Sequence, residues 1–270
     1  MRVSILTLAL AACLAMPAMA QTEAADAAES SPLAPRTADS GRPLTAAQEA
    51  TGLPFLDLRL KVDPDTKTIS GDARYTIDAL APLDRFEVDL DPRFAVTSVT
   101  VDGAPVQWEA DAGRLTIPLG KTLATGDSAK VAIEWNGSPY VAKRPPWEGG
   151  FMWDKTEDGS PWIATAVQMN GCDLFWPCID YPTKEIERLD SSITVPEGLV
   201  AAGNGTFAGS ETSNGWTTWK WSARSPNTYA IALNIGPYEV LEDTYQSRFG
   251  NSIPLYFWHL PGNGEKAAVL

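Results

Sequence analysis

An alternation of period two runs through most of this chain and restricts it to strands. Leu56, Leu58, Leu60 and Val62 alternate with Asp57, Arg59 and Lys61, so one side of the segment is apolar and the other charged. Successive side chains of a strand point to opposite faces, and this is the pattern of a half-buried one. After the turn at Asp63-Pro64-Asp65, the residues Ile69, Gly71, Ala73, Tyr75 and Ile77 continue the alternation. Phe86, Val88 and Leu90 form the next run, and Val99 and Val101 lead into Asp102-Gly103, a short-hairpin signal. Leu115, Ile117 and Leu119, then Val131, Ile133 and Trp135, add two more. Beyond the middle segment come Ile193 and Val195, Trp219 and Trp221, and the run Tyr229, Ile231, Leu233, Ile235. Leu255 to Leu260 reads as a last strand, and only Glu265 to Leu270 reads as the start of a helix. Short strands separated by turns, in a chain with 21 Gly and 21 Pro, predict an all-β fold, an antiparallel β-sandwich.

The ends read differently. Arg2 precedes an apolar run from Val3 to Met16, and Pro17-Ala18-Met19-Ala20 supplies a small-x-small cleavage site before Gln21. Residues 1–20 are therefore expected to be a secretory signal, placing the protein in the periplasm or outside the cell. A rival reading, Leu10-Ala11-Ala12-Cys13, resembles a lipoprotein box that would leave Cys13 lipidated, but it makes the signal unusually short. Residues 21–52 are rich in Ala, Ser, Pro and acid and read as a flexible tether, with a helical turn open at Leu44 to Ala50. The β domain is expected over 53–262. No later segment is long and apolar enough to be a transmembrane helix.

Charge excludes some partners. Lys+Arg 21 against Asp+Glu 34 gives a net charge of -13 with no basic block, so a nucleic-acid partner is not expected. With one histidine, His259, the chain cannot supply the two imidazoles that most hydrolytic zinc sites use. His259 reads as an edge or interface residue, and no Ser-His-Asp or Cys-His arrangement is evident. The aromatic run Tyr256-Phe257-Trp258 reads as an apolar patch near the end of the chain.

Five of the ten tryptophans (Trp135, Trp147, Trp153, Trp162 and Trp176) fall between residues 135 and 176. They make either a large aromatic core under a long irregular segment or a platform for sugar or peptide, and both need planar apolar surface. Next comes Pro177-Cys178-Ile179-Asp180-Tyr181-Pro182, which resembles the P-C-x-D-x-P motif of the aminopeptidase N and leukotriene hydrolase family of zinc metallopeptidases. Ile193-Thr194-Val195-Pro196 with Ala201-Ala202-Gly203-Asn204-Gly205, and Ser225-Pro226-Asn227-Thr228-Tyr229 through Gly236, resemble two further stretches of that family in the same order.

The resemblance implies the family's N-terminal saddle-shaped β domain, in a zinc aminopeptidase that removes N-terminal residues from peptides. Gln168, nine residues before Pro177, stands where the family places a Glu or Gln that holds the substrate's free α-amino group. Departures are Asp173, where the family often has Arg, Tyr181, where Glu is common, and Gln in place of Glu at 168. Taken alone, Asp180 between two prolines reads as a turn cap, and Gln168 as a side chain that is solvated or bonded to backbone. The family's H-E-x-x-H and G-x-M-E-N motifs do not occur in the sequence. The zinc, the hydrolysis and this domain's own catalytic partner are therefore expected in a missing domain, with 263–270 starting the link to it. On this reading the chain is a fragment, inactive alone and binding no zinc. The alternative is a free-standing secreted module that binds carbohydrate or peptide. Cys172 and Cys178 are a possible disulfide: Gly171 and Pro177 could bend the chain enough to join them, although an extended strand would hold them too far apart, and buried free thiols are the default.

Overall fold

A computed structural model of the chain describes residues 32–269. The expected signal and Cys13 lie outside these residues, as does Leu270. The first half holds β1 (Thr51–Asp63), β2 (Thr68–Ala79), β3 (Leu83–Asp89), β4 (Ala95–Val101), β5 (Ala104–Pro105), β6 (Glu109–Asp111), β7 (Arg114–Leu123) and β8 (Ser128–Gly137). The second half holds β9 (Gly150–Lys155), β10 (Pro161–Ala166), β11 (Arg188–Pro196), β12 (Val200–Ala202), β13 (Thr206–Ser213) and β14 (Trp216–Arg224). The last strands are β15 (Asn234–Gly236), β16 (Glu239–Gln246) and β17 (Ser252–His259). Among the described residues the α-helices are single turns, α1 (Ala46–Glu49) and α2 (Gly264–Ala267).

The fold is an all-β sandwich. An eight-stranded sheet in the order β13-β14-β11-β1-β2-β8-β4-β5 forms one layer. Against it lie a three-stranded sheet, β3-β7-β6, and a four-stranded one, β12-β15-β10-β9. The alternating apolar residues fill the space between. Leu56, Leu58, Tyr75, Ile77 and Ile133 of the large sheet join Phe86, Ile117, Ile163 and Ile235 of the small ones in one buried cluster. Tryptophans fasten the layers: the Trp221 Nε1–H donates to the Ala201 carbonyl, and that of Trp135 to the Phe175 carbonyl. Trp135 lies across its strand partner Gly71, where a Cβ would come 2.2 Å from the ring. Pairing between the strands is antiparallel except for β1 and β11, which run parallel with Leu56 opposite Leu189.

Several expectations are corrected. The segment 33–50 is no free tether. Thr37 and Gln48 are buried, Leu33 and Leu44 pack on the core, and Thr45 caps α1 while donating to Glu87 Oε2 at 2.6 Å. The partners that hold it come from strands far along the chain, which local composition does not reveal. The middle segment is not irregular throughout, since β9 and β10 pair as a hairpin within it. The run from Tyr229 to Ile235 is not one strand. Asn227 accepts from the Tyr229 N–H, winding Thr228–Ala230 into a 3-10 turn, and only β15 of this run pairs as a strand. At the far end β16 and β17 form a separate two-stranded hairpin, its Trp258 set edge-on against Trp219 and Trp221.

Candidate functional site

β10 ends at Ala166 and delivers the chain into a turn at 168–170. Gln168 is exposed there and makes no hydrogen bond among the described residues. Met169, at φ 71°, is 67% exposed. Asn170 anchors the turn from beneath: it is buried, its Oδ1 accepts from the Gly149 N–H at 2.7 Å, and its Nδ2 donates to the Thr37 carbonyl at 3.4 Å. The Ser40 N–H donates to the Met169 carbonyl at 3.2 Å. Residues 33–45, hereafter the strap, thus lie against the turn that presents Gln168.

The motif loop follows. A 3-10 turn at Cys172–Leu174 shortens the path to Cys178, bringing the two Cα atoms to 6.2 Å in a disulfide. The segment is thus bent and not extended, which brings the two thiols within reach of each other. Asp180 does not cap its own turn. Its Oδ1 accepts from the Cys172 N–H at 3.4 Å and its Oδ2 from the Gly41 N–H at 3.3 Å, so it ties the loop to the strap. Gly171, at φ 83°, leaves the space: a Cβ there would sit 2.2 Å from Asp180 Oδ2. Asp89 and Cys178 exchange both backbone hydrogen bonds, at 2.7 and 2.9 Å, and the buried Tyr75 hydroxyl donates to the Pro177 carbonyl. The six-residue motif is therefore a clasp on the end of β3.

Behind the clasp is a buried charged cluster. Arg114 Nε lies 2.7 Å from Asp89 Oδ1 and its Nη1 3.3 Å from Glu87 Oε2. Burial pushes the Glu87 carboxyl up, but the Thr45 hydroxyl and the Arg85 and Arg114 guanidiniums outweigh it and leave the group below its usual range. Asp173 is different. Burial, then the neighbouring Asp180, Asp89 and Asp91 carboxylates, hold it well above the ordinary carboxylate range, opposed by the Thr37 hydroxyl. Asp180 is also raised, chiefly by burial.

This arrangement holds chain segments in place and presents an amide. Among the described residues no group of three or more His, Cys, Asp and Glu could hold a metal ion. His259 stands on β17 with Nδ1 at 3.0 Å from the Leu260 carbonyl and 3.8 Å from Glu239 Oε2. Of the five clustered tryptophans, Trp135 and Trp176 are core, Trp153 packs against it, Trp162 donates to the Tyr238 hydroxyl at 2.8 Å and Trp147 is 62% exposed, so they form no common platform. The broad cleft of about 640 Å³ on the outer face of the large sheet is lined by Arg59, Asp72 and Glu134 among others. Its one arginine pairs with Asp57 of the same strand at 2.6 Å, and Lys220 lies 3.4 Å from Glu211.

A scan against protein families and a search of curated proteins find no match. Solved structures do match. The M1 zinc metallopeptidase from Deinococcus radiodurans is 25% identical, with a TM-score of 0.68, over 86% of this chain and 54% of its own. The chain is built like part of an M1 zinc metallopeptidase. A point mutant of the Deinococcus radiodurans M1 enzyme, bound to a Tyr-Ser-Ala substrate, gives the same identity and coverages. A two-domain M1 zinc metallopeptidase mutant bound to L-tryptophan is 26% identical, with a TM-score of 0.70, over 86% of this chain and 55% of its own. The chain spans about half the length of these M1 enzymes. The likeness supports the N-terminal domain of the M1 family, and the zinc of those enzymes finds no donor set among the residues described here.

Proposed function

We propose that this chain is the N-terminal β domain of an exported M1-type aminopeptidase, in which Gln168 receives the substrate's free α-ammonium group. The observation that carries the reading is the structural likeness, 26% identity over 86% of the chain, to an M1 enzyme bound to a free amino acid. The exposed Gln168 amide, on a turn braced by Asn170 and the strap, is compatible with that role. Zinc, when bound, would activate the water that attacks the peptide bond, and its ligands would come from outside the residues described here. Gln168 would accept a hydrogen bond from the ammonium through its side-chain carbonyl and fix where the peptide starts. A neutral amide in place of a carboxylate gives a weaker anchor for a cation.

The gene product should therefore be purified as the cell makes it and assayed for zinc and for hydrolysis of aminoacyl reporters. A product with zinc-dependent activity is expected. A hydrogen bond to a charged partner contributes about 1.5–3 kcal/mol, so Gln168→Ala should lower kcat/KM for free-amine substrates roughly ten- to a hundredfold while sparing N-blocked ones. Gln168→Glu should favour free amines. Equal losses on free and blocked substrates would return Gln168 to a structural role, and a zinc-free, inactive product would remove the aminopeptidase reading.

A further inference from the structure

Between the strap, α1, β3, β7 and the motif loop lies a cavity of about 10 Å³, room for one water at most. The strap contributes Arg36, Asp39 and Arg42 to its wall, α1 contributes Gln48, β3 contributes Asp89 and β7 contributes Arg114. The motif loop contributes Asp173 and Asp180. Asp89 is answered by Arg114 at 2.7 Å, by Gln48 Nε2 at 3.1 Å and by Arg36 at 3.7 Å. Asp39 faces Arg42 at 3.2 Å, and Asp180 accepts the backbone N–H groups of Cys172 and Gly41. Asp91, whose N–H donates to the Asp173 carbonyl, has Arg93 at 2.9 Å.

Asp173 is the exception. It is 1% exposed, and neither carboxyl oxygen has a partner in hydrogen-bond geometry. The fully buried Thr37 hydroxyl of the strap bears on this carboxyl and favours its charged form, but neither group reaches hydrogen-bond geometry. An ionised, unpaired carboxylate buried among three others is costly, and a group in that position takes up a proton instead.

We propose that Asp173 is the latch of a proton-operated clamp: as a neutral acid it lets the strap seat over the motif loop, and its ionisation lifts the strap and loosens the Gln168 turn. The coupling is structural, because the strap reaches the turn through two hydrogen bonds, Ser40 to Met169 and Asn170 to Thr37. On ionisation the proton leaves to solvent, and the cavity gains a negative charge where Arg114 and Arg42 already pair with Asp89 and Asp39 and Arg36 reaches only Asp89, at 3.7 Å. Burial acts on Asp173 in the same direction. Any effect on peptide binding rests on the role proposed for Gln168, whereas the movement of the strap does not.

The test is hydrogen exchange on the full chain between pH 5 and pH 9, with wild type and Asp173→Asn compared at equal pH so that the intrinsic exchange chemistry cancels. Asn is neutral at every pH and nearly the same shape. Wild-type peptides covering 33–45 and 167–171 should lose protection relative to the variant by about tenfold per pH unit while Asp173 ionises. Peptides from β1 and β2 should track the variant throughout. Parallel profiles in the two proteins, or wild-type strap protection unchanged across the range, would overturn the clamp. If the Asn variant does not fold, Asp173→Leu takes its place, and the wild-type profile alone still decides against the proposal when it is flat. Strap release without any change in free-amine binding would leave the clamp standing and count against Gln168.

Discussion

Two buried contacts decide how tolerant the fold is of single substitutions. The Tyr75 hydroxyl is buried against the Pro177 carbonyl, and burial raises its pKa well above the usual phenol value, so it stays a donor. Tyr75→Phe keeps the ring against Phe86 at 5.2 Å but leaves that carbonyl unpaired, at a cost of about 1–3 kcal/mol. Chemical denaturation should show the loss as a lower midpoint with an unchanged slope. Gly71 has a different vulnerability: a methyl group would strike the Trp135 ring, itself 1% exposed. Gly71→Ala should destabilise by about 1–3 kcal/mol through forced repacking, and an altered near-ultraviolet signal should accompany the lower melting temperature. In the sequence, position 71 read as one more inward-facing residue of a strand. Its need for glycine comes from the cross-strand tryptophan.

At the scale of elements, the motif loop and the strap are mutually dependent. The loop is closed on itself by the disulfide between Cys172 and Cys178, six residues apart. Cross-linking so short a loop removes conformational freedom from the unfolded chain equivalent to about 2–3 kcal/mol. The double variant Cys172→Ala, Cys178→Ala should lose stability of that order, and urea titration of oxidised protein and variant measures it. No loss between them would mean that packing around Phe175 and Trp176 already holds the loop. α1 has its own fastening, a capping box in which Thr45 and Gln48 satisfy each other's backbone while Thr45 reaches Glu87. Thr45→Ala should cost about 1–2 kcal/mol and expose 33–45 to protease before the sheets unfold.

For the whole molecule, buried carboxyls set opposing responses to pH. Glu87 is held below its usual range, so its contribution is present above the unfolded-state value near 4.3 and is lost as pH falls through its folded value. Asp173 and Asp180 are raised, so theirs is complete below about 3.9 and is lost as pH rises through their folded values. The net charge of -13 reinforces the second effect, since acidification relieves self-repulsion. Melting temperature should therefore peak on the acidic side of neutrality and decline on both sides. Asp173→Asn should flatten the alkaline decline and leave the acid limb in place. A peak above pH 8 would contradict these assignments.

The alternation of apolar and polar residues was sufficient by itself for the all-β class and for the inward faces of β1, β2, β7 and β8, because a strand's period is local and burial follows it. The motif around Pro177 and Asp180 was equally legible, since it is a short contiguous string. What the tertiary structure alone decided depends on partners distant in the chain. Tyr75 meets Pro177 across 102 residues and Asn170 meets Thr37 across 133, and these contacts turned an expected tether into a packed strap. The parallel pairing of β1 with β11 is of the same kind, because backbone hydrogen bonds carry no residue code. Asp173 read as a mere departure from a family pattern. Its buried, unpaired carboxyl exists only once the strap, β3 and the motif loop close around it, since burial and charge are properties of the space a residue occupies.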